Sequence, residues 1–412
     1  MQESNISTNN FEQCLKCTIC TAYCPVVPVN PAYPGPKQAG PDGERLRLKN
    51  GFFFDENLKY CLNCKRCEAA CPSGVRIADI IHRARRQYSS HKPSLRDRIL
   101  AGTDFMGKAA RPFAPLVNAA MATKPAKAVL HGVLGVDRNR TFPKYQMHGF
   151  RAWFNKEMAA KQEAYPEKIA FFHGCSTEFQ HPEVGKAFVA VMNALGYGVR
   201  LMDEKCCAVA MISNGLFDQA TKHARHNVAE FEKVVGQGLP VVTVSSTCTL
   251  TMRDEYPHIL DVDNQSVRDA IILAEKFIFD LIDRGKAKLI FRKDFRARAA
   301  YHVPCHMEKL GWSLFTKELL GMIPGLDLTL LDSNCCGIAG TYGFKKENYA
   351  YSQAIGAPLF HQIRSVNPDF VACECETCKW QIEMTTGYEV LNPIVILYRA
   401  LDLEATAQAN KI

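Results

Sequence analysis

The stretch 14–25, CLKCTICTAYCP, recurs as 61–72, CLNCKRCEAACP. In the first copy Cys14, Cys17, Cys20 and Cys24 precede Pro25 in a C-x-x-C-x-x-C-x-x-x-C-P run. Cys61, Cys64, Cys67, Cys71 and Pro72 repeat it at a constant offset of 47 residues. Spacing by two residues lets three thiolates wrap one corner of a metal-sulfur group while the backbone N–H groups between them turn toward its sulfurs. The proline after each run ends the loop with a fixed φ.

Runs of this kind hold [4Fe-4S] clusters in bacterial ferredoxins, and in two-cluster ferredoxins the fourth cysteine of each run serves the other cluster. Cys14, Cys17, Cys20 and Cys71 are therefore assigned to one [4Fe-4S] cluster, and Cys61, Cys64, Cys67 and Cys24 to a second. Tandem C-x-x-C pairs also bind zinc, but a structural zinc site takes four ligands and leaves a C-x-x-C-x-x-C triplet without a role. Disulfides are disfavoured, because a chain of 412 residues has bulk enough for a core without covalent staples. Residues 1–11 are polar with no basic or apolar run, so no secretory signal is expected and the 18 cysteines are placed in a reducing compartment.

The length predicts two or three domains, and 47% hydrophobic content is ordinary for a globular protein. No apolar run reaches the roughly 18 residues of a membrane-crossing helix. The net charge of +8 is unevenly placed: residues 83–161 carry 16 Lys and Arg against four acids. Residues 91–165 read as a basic helical connector whose short apolar stretches, 114–122 and 126–136, suit either a membrane interface or a packing role. No helix-turn-helix, aromatic RNA-binding stripe or zinc-finger spacing accompanies the charge, so nucleic acid is not an expected partner.

Along the chain, residues 29–43 are too rich in Pro and Gly for a helix and are expected to be an ordered loop. Residues 77–88 have helical apolar spacing. From residue 168 the texture becomes α/β, with strands at 168–173, 199–202 and 240–244 and helices at 183–195 and 216–235. Alternation of this kind implies a parallel sheet. The unit recurs at an offset of 129–130: Cys175 matches Cys305, Cys206 and Cys207 match Cys335 and Cys336, and Cys248 matches Cys378. Strand cues at 298–303, 326–331 and 369–372 repeat as well, which reads as a duplication. Cysteines just past strand ends converge on the carboxyl edge of such a sheet, where ligands bind. Cys373 is read as a core residue within a strand. The expected domains are 1–90 (two-cluster, mainly α-helical), 91–165 (connector), 166–290 and 291–412 (duplicated α/β, parallel sheet).

Cys335-Cys336-Gly337 followed by Cys375-x-x-Cys378 resembles the cysteine-rich CCG domain family, which includes the catalytic subunit of heterodisulfide reductase and iron-sulfur subunits of quinone-linked dehydrogenases. The resemblance implies an additional iron-sulfur cluster, in some relatives a non-cubane one, on Cys305, Cys335, Cys336, Cys375 and Cys378. In the first copy Ala208 replaces the motif glycine and Ser245 the first cysteine of C-x-x-C. A fourth site on Cys175, Cys206, Cys207 and Cys248 thus lacks a thiol, and hydroxyl is a harder and poorer iron ligand.

Over nearly its whole length, through YPGPKQAGPDGERLRL (33–48), SSTCT (245–249), CHMEK (305–309) and CCGIAGTYGFKKE (335–347), the chain is similar to the C-subunit family of bacterial anaerobic glycerol-3-phosphate dehydrogenases. That resemblance implies an electron relay from flavin in A- and B-type partner subunits to a quinone, peripheral on the cytoplasmic side of the inner membrane, with no catalysis by the chain alone. No G-x-G-x-x-G follows a strand, so no flavin or nicotinamide site is expected; Gly337, Gly340 and Gly343 read as turn residues. Alternatives are a heterodisulfide-reductase-like thiol/disulfide reductase and the iron-sulfur subunit of a lactate or glycolate oxidase complex. Lys16, Lys65 and Arg66 are read either as offsetting cluster charge or as plain surface residues. His302 and His306 flank Cys305 and are read as quinone contacts, metal ligands or satisfied loop residues.

Overall fold

The computed structural model describes residues 10–50, 55–89 and 92–411. Two four-stranded parallel sheets form its centre. The first has the order β2-β1-β3-β4, from β1 (Glu167–Phe172), β2 (Tyr197–Leu201), β3 (Val241–Thr243) and β4 (Ile271–Leu273). The second has the order β6-β5-β7-β8, from β5 (Ala297–Tyr301), β6 (Leu326–Leu330), β7 (Phe370–Ala372) and β8 (Val390–Leu391). Central strands are apolar without alternation because helices cover both faces; β3 and β7 are wholly buried. β4 and β8, runs of three and two residues, escape the sequence reading.

The two copies pack reciprocally. The helix Pro182–Ala194 of the first lies on Pro393–Ala400 of the second, and Ala274–Asp283 of the first lies on Ser313–Gly321 of the second. The helix after the first strand-end turn of each copy thus meets a late helix of the other, and one hydrophobic core runs through both copies.

Residues 29–43 are not all loop. Gln38–Asp42 forms a wide helical turn with Pro41 inside it, continuing into the helix Gly43–Lys49. Buried Arg47 braces this turn: its guanidinium donates to Ala39 O and Gly40 O at 3.3–3.4 Å. The cysteine-run domain then docks on both copies. Arg76 pairs with Asp254 at 2.8 Å, and Arg83 and Arg86 share Asp261 on the first copy. On the second, Lys309 reaches Glu68 at 3.0 Å.

Candidate metal centres

The eight cysteines of the duplicated run line two cavities. Cys14, Cys17, Cys20 and Cys71 surround one, with Leu15, Thr18 and Val75. Cys24, Cys61, Cys64 and Cys67 surround the other, with Val26, Tyr33 and Leu62. Backbone strain marks both loops alike: Lys16 and Thr18 in the first, and Asn63 and Lys65 at the same offsets in the second, hold φ between 55° and 64°. Left-handed non-glycine residues cost about 1 kcal/mol or more each, and strain of this kind persists where a site requires it. Cys17 is exposed, whereas burial pushes the Cys24 thiol up to about 11 and Cys64 up to about 12. Loading such a site displaces those protons, so binding a metal group and ionising the thiols occur together. Four thiols around one cavity, with no competing carboxylate in its lining, fit a thiolate-ligated iron-sulfur group.

In the first α/β copy Cys175 follows β1, Cys206 and Cys207 follow β2, and Cys248 follows β3. These are the carboxyl ends beside the point where strand order reverses. Cys206 sits among Cys175 and Cys207, whose hydrogen bonds hold its thiol well below the ordinary value, and Cys207 in turn contacts Cys248. The connector closes this group: Asp104 accepts from Cys206 N at 3.0 Å. Ser245, the substituted position, points elsewhere, donating to Glu376 of the second copy at 3.0 Å.

In the second copy Cys305, Cys335, Cys336, Cys375 and Cys378 come together. Cys336 and Cys378 sulfurs lie 3.1 Å apart. A hydrogen bond from Cys378, joined by Thr247 and Thr377 hydroxyls at 3.3 Å, holds the Cys375 thiol down at about 6. Thr247 belongs to the first copy, so the neighbouring domain prepares this thiolate. Cys373 is buried in a hydrophobic cluster of the second copy, as expected, but it lies one position beyond β7 rather than within it, with its sulfur beside Cys378 and His302.

The sequence comparisons accord with this division. The 4Fe-4S dicluster domain model matches residues 10–75, and the cysteine-rich CCG domain model matches 169–253 and 299–383. The C-subunit of anaerobic glycerol-3-phosphate dehydrogenase from Escherichia coli (strain K12) is 54% identical over 398 residues, covering 96% of this chain and 100% of the relative. The chain belongs to that C-subunit family. The B-subunit of fumarate reductase (CoM/CoB) from Methanothermobacter marburgensis is 24% identical over 95% of this chain and 71% of its own length. Lactate utilization protein A of an Exiguobacterium species is 31% identical over 43% of this chain and 74% of its own length. As a member of the C-subunit family, the chain is an iron-sulfur subunit.

In this family member one C-terminal CCG cysteine, Cys335, belongs to the same hydrophobic cluster as the dicluster cysteines Cys20, Cys24 and Cys67. Cys24 and Cys335 both line a cavity of about 380 Å³, with Tyr23, Pro25, Arg66 and Ile355. His306 is tied to the dicluster loop, its Nε2 3.1 Å from Asn63 O. Lys65 is not a surface residue: it is fully buried, ion-paired with Asp79 and 3.9 Å from Glu255. Its charge is spent on carboxylates at the domain junction. Arg66 likewise bridges to Ser333 O at 2.8 Å.

The connector forms short helices, including Leu95–Ala101, Thr103–Ala110, Ala114–Ala122 and Lys124–Val129. Part of its basic excess is internal, with Arg96 on Glu347, Arg111 on Glu178 and Arg151 on Glu204. Ala114–Ala122 carries no charge and buries only Ala114. Leu116 and Val133 are 72% and 77% exposed, close in sequence to Lys124 and Lys127. No helix among the described residues is long and apolar enough to cross a membrane.

Proposed function

We propose that this chain carries electrons from flavin-bearing partner subunits, which oxidise glycerol 3-phosphate, to a quinone at the membrane surface. The observation that carries this reading is that Cys335 of the C-terminal CCG domain shares one hydrophobic cluster with Cys20, Cys24 and Cys67 of the dicluster domain, against which Cys14, Cys61, Cys64 and Cys71 pack. Iron-sulfur clusters, when bound, supply one-electron exchange between a two-electron flavin and a two-electron quinone. The chain's own part is to hold those groups at short range and to keep water from them. Leu62, Val75 and Ile77 wall the two dicluster cavities, and Arg66, Lys309 and His306 pin the dicluster loop against the C-terminal CCG domain. Cys17 and the exposed Leu15 mark the face for the flavoprotein subunits.

The uncharged helix Ala114–Ala122 and the lysines after it support attachment to an anionic leaflet, where each Lys contributes about 1 kcal/mol. Lys124→Glu with Lys127→Glu is expected to cut the affinity for phosphatidylglycerol vesicles, read by cosedimentation, by about 30-fold or more, with dicluster spectra unchanged. Equal binding would assign this face to a partner protein instead.

The test of the relay is anaerobic mixing of the assembled complex with glycerol 3-phosphate. The clusters of this chain should reduce within one turnover and reoxidise on adding a menaquinone analogue. Clusters that stay oxidised while the flavin reduces would remove the chain from the path. Rapid disulfide reduction by the isolated chain with reduced viologen would favour the thiol/disulfide reductase reading.

A further inference from the structure

Two donors stand in the C-terminal CCG site that its motif does not name. His302 lies one residue past β5 and Cys373 one residue past β7, both almost fully buried. A ligand atom of His302, the Cys373 sulfur and the Cys378 sulfur all fall within 4.8 Å of one another. Cys336 adds a third sulfur, 3.1 Å from Cys378 and in contact with the His302 ring. His302 Nε2 is buried without a hydrogen-bond partner. Buried polar nitrogens are almost always satisfied, so an orphan facing a group of thiols needs an explanation.

The first copy supplies the contrast. Strand register equates Phe172, opposite Thr243, with Tyr301, opposite Ala372. Counting from these ends, His302 corresponds to His173, and Cys373 to Val244. His173 is fully engaged, with Nε2 2.8 Å from Glu204 and Nδ1 3.0 Å from Gly174 O. Val244 is simply core. The same imidazole position is therefore tied off in one copy and left open beside an extra thiol in the other.

We propose that His302 and Cys373, with Cys336 and Cys378, are ligands of the metal group in the C-terminal CCG site, a Cys3His set suited to zinc or to an iron of a cluster. Thiolate with neutral imidazole is the donor chemistry both metals accept. The proposal rests on the reading that this site holds a metal group at all, and it moves the coordination away from a purely cysteine set.

The test uses anaerobically purified full-length chain. Iron, zinc and sulfide are counted in wild type, His302→Ala and Cys373→Ala, and X-ray absorption at the metal edge reads the light-atom shell. Dicluster paramagnetic signals serve as the control for folding. Expected are metal beyond the two dicluster groups in wild type, loss of the nitrogen contribution in His302→Ala, and about 10-fold faster metal loss to a chelator in both variants. His302→Asn gives a shape-conserving check and should also lose the imidazole contribution. Extra metal in wild type that is unchanged in amount and spectrum in all variants would overturn the ligand proposal alone. No extra metal in wild type would overturn the underlying reading. Zinc against iron at the edge distinguishes a mononuclear ion from a cluster.

Discussion

The two CCG copies share strand order, cysteine placement and a pseudo-twofold, yet they present different chemistry at the same sheet edge. In the second copy Gly337 has φ of 83°, and a Cβ there would stand 2.0 Å from Ser352 O. In the first copy Ala208 holds φ of 73° at the equivalent place. Backbone geometry was thus retained where the side-chain allowance was not. Ser245 shows the same separation of roles. It still caps its helix through Cys248 N, as a first-turn hydroxyl does, but its oxygen is spent on Glu376 of the other copy. The first copy has become a support for the second: Thr247 and Ser245 both serve the loop that carries Cys375.

Removing the thiol at the centre of the C-terminal site should have the largest effect. Cys378→Ser is expected to strip the metal from that site and spare both dicluster signals, as read by metal content and paramagnetic resonance. Retention of all the metal would show that Cys378 is not a ligand. Next in size is Gly337→Ala, which meets the Ser352 carbonyl as well as a left-handed φ. It should destabilise by about 3 kcal/mol or more, seen as a lowered denaturation midpoint.

The junction between copies offers a pH test. Glu275 of the first copy is fully buried without hydrogen-bond partners, and burial, with Glu374 beside it, raises its pKa well above the carboxylate range. The folded chain holds a proton there that the unfolded chain releases. Its contribution is complete below the ordinary carboxylate pKa and is lost as pH rises through the raised folded value. Glu275→Gln should therefore stabilise by about 1–3 kcal/mol at pH 8, with the gain vanishing near pH 4, in parallel denaturation curves. The smallest effect is Ala208→Gly. Relief of the left-handed strain exceeds the added unfolded-state entropy only slightly, so a gain of about 1 kcal/mol or less is expected. A loss would mean that the Ala208 methyl packs usefully.

Much of this was legible from residue spacing, because period and offset are local properties. The helix Ile77–Tyr88 and most strands fall within two residues of their expected ends. What spacing missed depended on distant partners. The helical turn that holds Pro41 is braced by Arg47 from the following helix, a side-chain contact that composition does not reveal. Lys65 is buried because Asp79 and Glu255 surround it, which no pattern around residue 65 announces. Cys373 reads as core from its neighbours because alternation along β7 says nothing about the residue just beyond the strand end.

The amino-acid order by itself determined the duplicated cysteine runs, the α/β repeat and the family, since each rests on identity and interval. Only tertiary structure decided which thiols face one another, which of the equivalent His173 and His302 keeps an unpartnered Nε2, and where the connector's charge is neutralised. Those outcomes depend on strand order and on the packing of one copy against the other, and both are set by contacts between residues far apart in the chain.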